Sequence, residues 1–329
     1  MFGITRNPSA GDAAPPDDRD GSDESDGAGD AAEADDSTDA AGATNGPVTR
    51  RRLLGGAATG VALLGGGGLY VANELDAGFA GYEAPETQPI VSTRGRLDES
   101  DPTARSGSWA FGDADAVVLF VHGLGADAES ARDQAYTARL GLAAATEGST
   151  EADALPVIGY SWASDVDWGP AKATADENAA PLADWLVRWA DEDGRPVHLF
   201  AHSLGARVTG ATLGELADRG RTAVLESVSL FGGAIPHDSV AEGGRYGPAI
   251  DALDAPVYNF HSREDRVLGW VYRASDRTRA VGHGGVSDAA ATPPDYTDVE
   301  VTDLVADHYS YFEPETGCLP RAVGRIGLD

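Results

Sequence analysis

Of the 329 residues, 54 are Asp or Glu and 24 are Lys or Arg, giving a formal net charge of −30. A nucleic-acid partner is disfavoured, because phosphate binding needs a basic patch that such a chain does not offer. Cys318 is the single cysteine, which excludes an intrachain disulfide and a cysteine-based zinc site; it lies in a Gly- and Pro-flanked stretch with no nucleophile motif around it.

Residues 1–48 contain ten Asp, two Glu and two Arg, a balance of −10, with Phe2 as their one aromatic. Such a segment buries too little apolar surface to offset its ordering entropy and is expected to be a disordered acidic tail. About −20 therefore falls on the rest of the chain, and Lys172 is its sole lysine. This composition resembles that of proteins from extreme halophiles, where salt screens the self-repulsion of an acidic surface.

At Thr49 the character changes. Arg50-Arg51-Arg52 precede an uncharged run from Leu53 to Ala72 that is rich in glycine. Residues 49–75 resemble a twin-arginine export signal or an uncleaved membrane anchor, with residues 76–84 as a linker. The positive-inside rule would keep the tail cytoplasmic and place the folded domain outside, attached through residues 53–72 if they are retained.

Residues 85–329 carry the domain. Short strands are expected at 90–94 and 108–111, then a buried apolar strand at 116–121 and a helix at about 128–145. A strand at 156–162 leads into a long amphipathic helix at about 171–190, in which Leu182, Trp185, Leu186 and Trp189 share one face. The alternation continues with strand 197–201, helix 204–218, strands 227–231 and 257–261, and a last strand at 298–301. Near-continuous apolar strands alternating with helices predict a mostly parallel sheet covered on both faces. Chemistry is then expected at the carboxyl ends of the strands. The Gly-rich connection between Phe231 and Ala255 is too short for a large cap domain.

At the end of strand 197–201 the chain reads Ala201-His202-Ser203-Leu204-Gly205. This is the G-x-S-x-G nucleophile elbow of α/β-hydrolases with Ala in the first position, where small residues flank a tight strand-to-helix turn and expose the serine at its tip. Strand 116–121 ends in His122-Gly123-Leu124-Gly125, the loop that supplies one oxyanion-hole N–H in that fold. The donors are expected to be the backbone amides of Leu124 and Leu204. His122 is expected to position this loop. The order Ser, acid, His calls for a carboxylate after a later strand, with Asp265 favoured and Glu264 and Asp238 open. His308, after the last strand, fits the base, since imidazole can take the serine proton and return it to the leaving group. His198, His202, His237 and His261 read as structural or surface residues without metal-ligand spacing.

The two motifs and the ordered acid and histidine resemble the α/β-hydrolase superfamily over nearly all of residues 85–329. A narrower pattern, Val257-Tyr258-Asn259-Phe260-His261-Ser262 followed by Asp265, Val267-Leu268 and Val271-Tyr272-Arg273, with Val299 to Val305, His308 and Tyr311, is similar to the branch that includes the transmembrane and coiled-coil domain proteins of eukaryotes. That resemblance favours Asp265 and His308 as triad members and brings no substrate. The elbow, the oxyanion loop and the ordered acid and histidine together lead to the expectation of a serine hydrolase of the carboxylesterase or lipase type, acting on a small-molecule or lipid ester through an acyl-enzyme on Ser203, with no metal or organic cofactor. The alternative is an inactive binding module of the same fold at the cell surface.

Overall fold

The computed structural model describes residues 82–146, 155–287 and 290–327. The expectations for residues 1–48, for 49–75 and for all but the last residues of the 76–84 linker lie outside the described residues.

Eight strands form one sheet: β1 (Ile90–Ser92), β2 (Ala104–Ser106), β3 (Val117–Val121), β4 (Val157–Ser161), β5 (Val197–His202), β6 (Ser227–Phe231), β7 (Val257–His261) and β8 (Tyr296–Glu300). Their spatial order is β2-β1-β4-β3-β5-β6-β7-β8. Every neighbouring pair is parallel except the edge pair β1 and β2. This is the α/β-hydrolase fold.

Pleating divides each central strand between two cores. On one face Val117, Leu119, Val121, Leu199 and Ala201 pack under α2 (Trp168–Glu177), α3 (Ala179–Glu192), α4 (Gly205–Asp218) and α5 (Gly247–Ala252). On the other, Val118, Phe120, Phe200, Phe231 and Phe260 pack under α1 (Ala128–Ala145) and α7 (Leu319–Ile326). β3, β4, β5 and β6 are buried at every residue; β3 is an unbroken apolar run, as strands covered on both faces tend to be, whereas Ser161, His198, His202, Ser227 and Ser229 interrupt the other three and are themselves buried. Each fully buried Leu, Val or Phe contributes roughly 1.5–3 kcal/mol of transfer free energy. Between β6 and β7 the described chain forms loops and the six-residue α5, so no cap domain stands there.

Two expected elements change. The single helix at 171–190 is two, α2 and α3, broken at Asn178. Asn178 is fully buried: its Oδ1 accepts from Thr93 Oγ1 at 2.6 Å and Tyr160 Oη at 2.9 Å, and its Nδ2 donates to Thr174 O at 2.7 Å. Residues 108–111 are a loop, not a strand; Trp109 and Phe111 instead cover Trp189, with ring centroids 6.4 and 6.0 Å from it, and the edge strand lies earlier, at Ala104–Ser106. A helix not expected from the sequence, α7, starts directly after Cys318, with Pro320 in its first turn, where the missing N–H costs nothing.

Candidate active site

Strand β5 delivers Ser203 to the carboxyl edge of the sheet. Its φ is +53°, a conformation that costs a non-glycine residue roughly 1–3 kcal/mol and persists only where the surroundings impose it. They do so here: Ser203 N–H donates to Phe231 O at 3.1 Å, and Ser203 O accepts from Ala234 N at 2.9 Å and Ala206 N at 3.1 Å. Small residues are required nearby. A Cβ on Gly205 would stand 2.4 Å from Val121 O, and one on Gly123 would stand 2.7 Å from Ser203 Cβ.

His308, at 1 % exposure, follows β8 and precedes a 3₁₀ turn, Ser310–Phe312. Its Nε2 lies 2.8 Å from Ser203 Oγ and its Nδ1 lies 2.7 Å from Asp265 Oδ2. A carboxylate can only accept, so Nδ1 carries the proton and Nε2 is left with a lone pair for the serine hydroxyl. Asp265, in the turn after β7, is fully buried. Its Oδ1 accepts from Leu268 N–H at 2.9 Å, and its Oδ2 accepts a second, longer bond from Tyr311 Oη at 3.3 Å. Burial, reinforced by the Asp265 charge, raises the Tyr311 phenol well above its ordinary range, so it stays a donor. The other two candidate acids are elsewhere: Glu264 is exposed beside the turn, and Asp238 is exposed on the wall of a separate recess with Arg207 and Arg245.

Leu124 and Leu204 bracket the serine. Among the described residues neither backbone N–H has a hydrogen-bond partner, an arrangement that leaves two donors free beside Ser203. The Leu204 side chain is fully buried in the core and that of Leu124 lines the cleft above Ser203. His122 supports the loop as expected. Its ring stacks on Trp162, 5.6 Å between centroids and 8° from parallel; Nδ1 donates to Gly123 O at 2.9 Å and Nε2 accepts from Trp162 N at 3.2 Å. Full burial lowers its pKa to about 3, so the ring is neutral.

One contributor was missed in the sequence. His202, read as structural or surface, donates from Nε2 to the backbone carbonyl of His308 at 2.7 Å, with its ring 4.8 Å from that of His308. Burial first, and the nearby His308 charge second, hold its pKa well below the usual histidine value. It therefore positions His308 as a neutral donor and does not compete with it as a base. The signal was available: in β5 the side chain of residue 202 shares a face with Phe200, where the 310–312 turn packs.

Above Ser203 lies a narrow cleft lined mainly by apolar side chains that include Leu124, Trp168, Leu268, Val271 and Tyr272. Most of the far wall is a π-helical turn, Val267–Tyr272, continued by α6 (Arg273–Asp276). Its end is tied to α2 through Asp276, which accepts from Trp168 Nε1 and from the sole lysine, Lys172, each at 2.6 Å. No group of three or more His, Cys, Asp or Glu that could hold a metal ion occurs among the described residues. No helix among them is long and apolar enough to cross a membrane.

Known proteins resemble the chain in part. Over 148 residues it is 33 % identical to the transmembrane and coiled-coil domain-containing protein STS1 of Oryza sativa subsp. japonica, covering 45 % of this chain and 21 % of that one. Over 180 residues it is 28 % identical to the uncharacterized membrane protein C6F6.13c of Schizosaccharomyces pombe, covering 53 % of this chain and 21 % of that one. The alignments thus span about a fifth of the length of these relatives. Among solved structures, one from a study of the metagenome-derived lipolytic enzymes LipS and LipT superposes with a TM-score of 0.40 at 13 % identity, over 75 % of this chain and 99 % of that one. An esterase of Pyrobaculum calidifontis gives 0.36 at 16 % identity, over 65 % and 76 %. The model of the family described as "Protein of unknown function (DUF726)" matches residues 140–321, more than half of the sequence, and the chain belongs to that family.

Proposed function

We propose that the chain is a serine hydrolase that cleaves an ester or related acyl bond through an acyl-enzyme on Ser203. The observation that carries this reading is the buried relay in which His308 stands 2.8 Å from Ser203 Oγ and 2.7 Å from Asp265 Oδ2. In the proposed sequence His308 Nε2 takes the hydroxyl proton as Oγ attacks the acyl carbon. The carbonyl oxygen becomes an oxyanion held by the N–H groups of Leu204 and Leu124. Asp265 fixes the Nδ1–H tautomer and stabilises the imidazolium, which then protonates the leaving alcohol. Water, activated by the same imidazole, releases the acid and restores Ser203. None of these steps calls on a metal or organic cofactor.

A fluorophosphonate probe that reacts with activated serines tests the reading. In molar salt the chain should be labelled at Ser203, and Ser203→Ala should abolish the signal. An unlabelled but folded wild-type chain would instead favour a binding module built on a hydrolase fold.

A further inference from the structure

We infer that the turn at residues 266–277 is a docking surface for an anionic lipid bilayer, set so that a lipid ester passes from the bilayer into the cleft above Ser203. The two sides of this turn differ. Inward, Val267, Leu268, Val271 and Tyr272 line the cleft. Outward, Trp270 is 78 % exposed. An indole with an apolar body and one N–H donor suits the boundary between headgroups and acyl chains.

Charge selects the occupant. Arg266, Arg273 and Arg277 are exposed on this turn, and none of the three is in an ion pair with another described residue. The acid within the turn, Asp276, is held by Lys172 and Trp168. The chain as a whole carries −30. An anionic surface therefore repels most of the domain and attracts it at the turn that carries three exposed guanidiniums, each able to grip a phosphate bidentately, and an exposed Trp. Held in that orientation, the turn that walls the cleft lies against the lipid. Docking itself is independent of catalysis; the identity of the delivered substrate rests on the reading of Ser203 as the nucleophile.

All six tryptophans lie between residues 109 and 270, so indole fluorescence reports on the domain and not on the run at 53–72. The full chain carrying Ser203→Ala is mixed with vesicles of phosphatidylglycerol or phosphatidylcholine bearing brominated acyl chains, at the lowest salt at which circular dichroism shows it folded. Phosphatidylglycerol should quench the fluorescence, and Trp270→Phe should remove that component. Replacing all three arginines by Gln should raise the lipid needed for half-maximal quenching roughly fivefold per arginine, on the order of a hundredfold together. Quenching that is absent, equal in the two lipids, or unchanged by Trp270→Phe would overturn the surface, as would a Trp270-dependent dimer that leaves lipid untouched. Quenching by a chain whose wild type resists the fluorophosphonate would keep the surface and discard the catalytic reading.

Discussion

Asp265→Asn tests the acid of the proposed relay with almost no change of shape. In the wild type, Oδ2 accepts from His308 Nδ1 at 2.7 Å and from Tyr311 Oη at 3.3 Å, while Oδ1 accepts from Leu268 N–H at 2.9 Å. The Asn carbonyl can keep the Leu268 bond, which turns the amide NH₂ toward His308. An N–H donor there pairs with an unprotonated Nδ1, so the proton moves to Nε2 and the ring loses the lone pair that Ser203 needs. Loss of the correct tautomer is worth about 10⁴ in kcat where it has been isolated by such a swap, or about 5 kcal/mol of transition-state stabilisation. Hydrolysis of a p-nitrophenyl ester in molar salt reads it directly, with Asp238→Ala in parallel, because Asp238 is exposed on another recess and should leave kcat within about twofold, as surface changes usually do. If Asp265→Asn kept a tenth or more of wild-type kcat, or Asp238→Ala lost as much, the assignment of the acid would fail.

The remaining outcomes concern the loop before Leu124 and its support. Gly123→Ala places a methyl 2.7 Å from Ser203 Cβ and 3.2 Å from its Oγ; displacing the loop and its N–H donor should lower kcat by roughly 10²–10³ while circular dichroism stays native, and a loss under threefold would show that the loop is not held against the serine. His122 gives a pH dependence. Its folded pKa of about 3 lies below the ordinary 6.5, so between those values the unfolded chain binds a proton that the folded chain does not. Its contribution is fully present above pH 6.5 and is lost as pH falls toward 3, about 2 kcal/mol of it between pH 7.5 and 5. Urea unfolding at those two pH values should show His122→Gln losing less stability than the wild type by about that amount; equal losses would mean that His122 is not buried in its neutral form.

How much of this was legible in the sequence depended on what made each element. Strands β3 to β7 could be read because strands covered on both faces need apolar residues toward each core, even where a buried Ser, His or Asn interrupts the run. The elbow and the loop facing it could be read because Gly205 and Gly123 are forced by sub-contact distances to Val121 O and Ser203 Cβ. Misreadings arose where tertiary contacts decided. An amphipathic period runs through Asn178 without a break, and what ends α2 there is a set of side-chain bonds to Thr93 and Tyr160. Ser108-Trp109-Ala110-Phe111 has the period-2 pattern of a strand, but its aromatics cover Trp189 from a loop. The π-helical turn has no signature of its own in composition, because nothing in Val267–Tyr272 distinguishes an i→i+5 bond from an ordinary turn.

His308 shows how the parallel sheet does what sequence order alone could not. It is 105 residues from Ser203 and 43 from Asp265, and the three meet because β5, β7 and β8 run the same way and release their loops at one edge. Register then fixes the loops to each other. His202, the last residue of β5, donates to His308 O at 2.7 Å, and Ser262, the first residue after β7, donates from its hydroxyl to Val305 O at 2.6 Å. These bonds clamp the 305–308 segment on both sides through its backbone and do not involve the carboxylate of Asp265. The fold at the site therefore does not depend on the charge that the proposed chemistry uses, which is why Asp265→Asn should silence the relay without unfolding it.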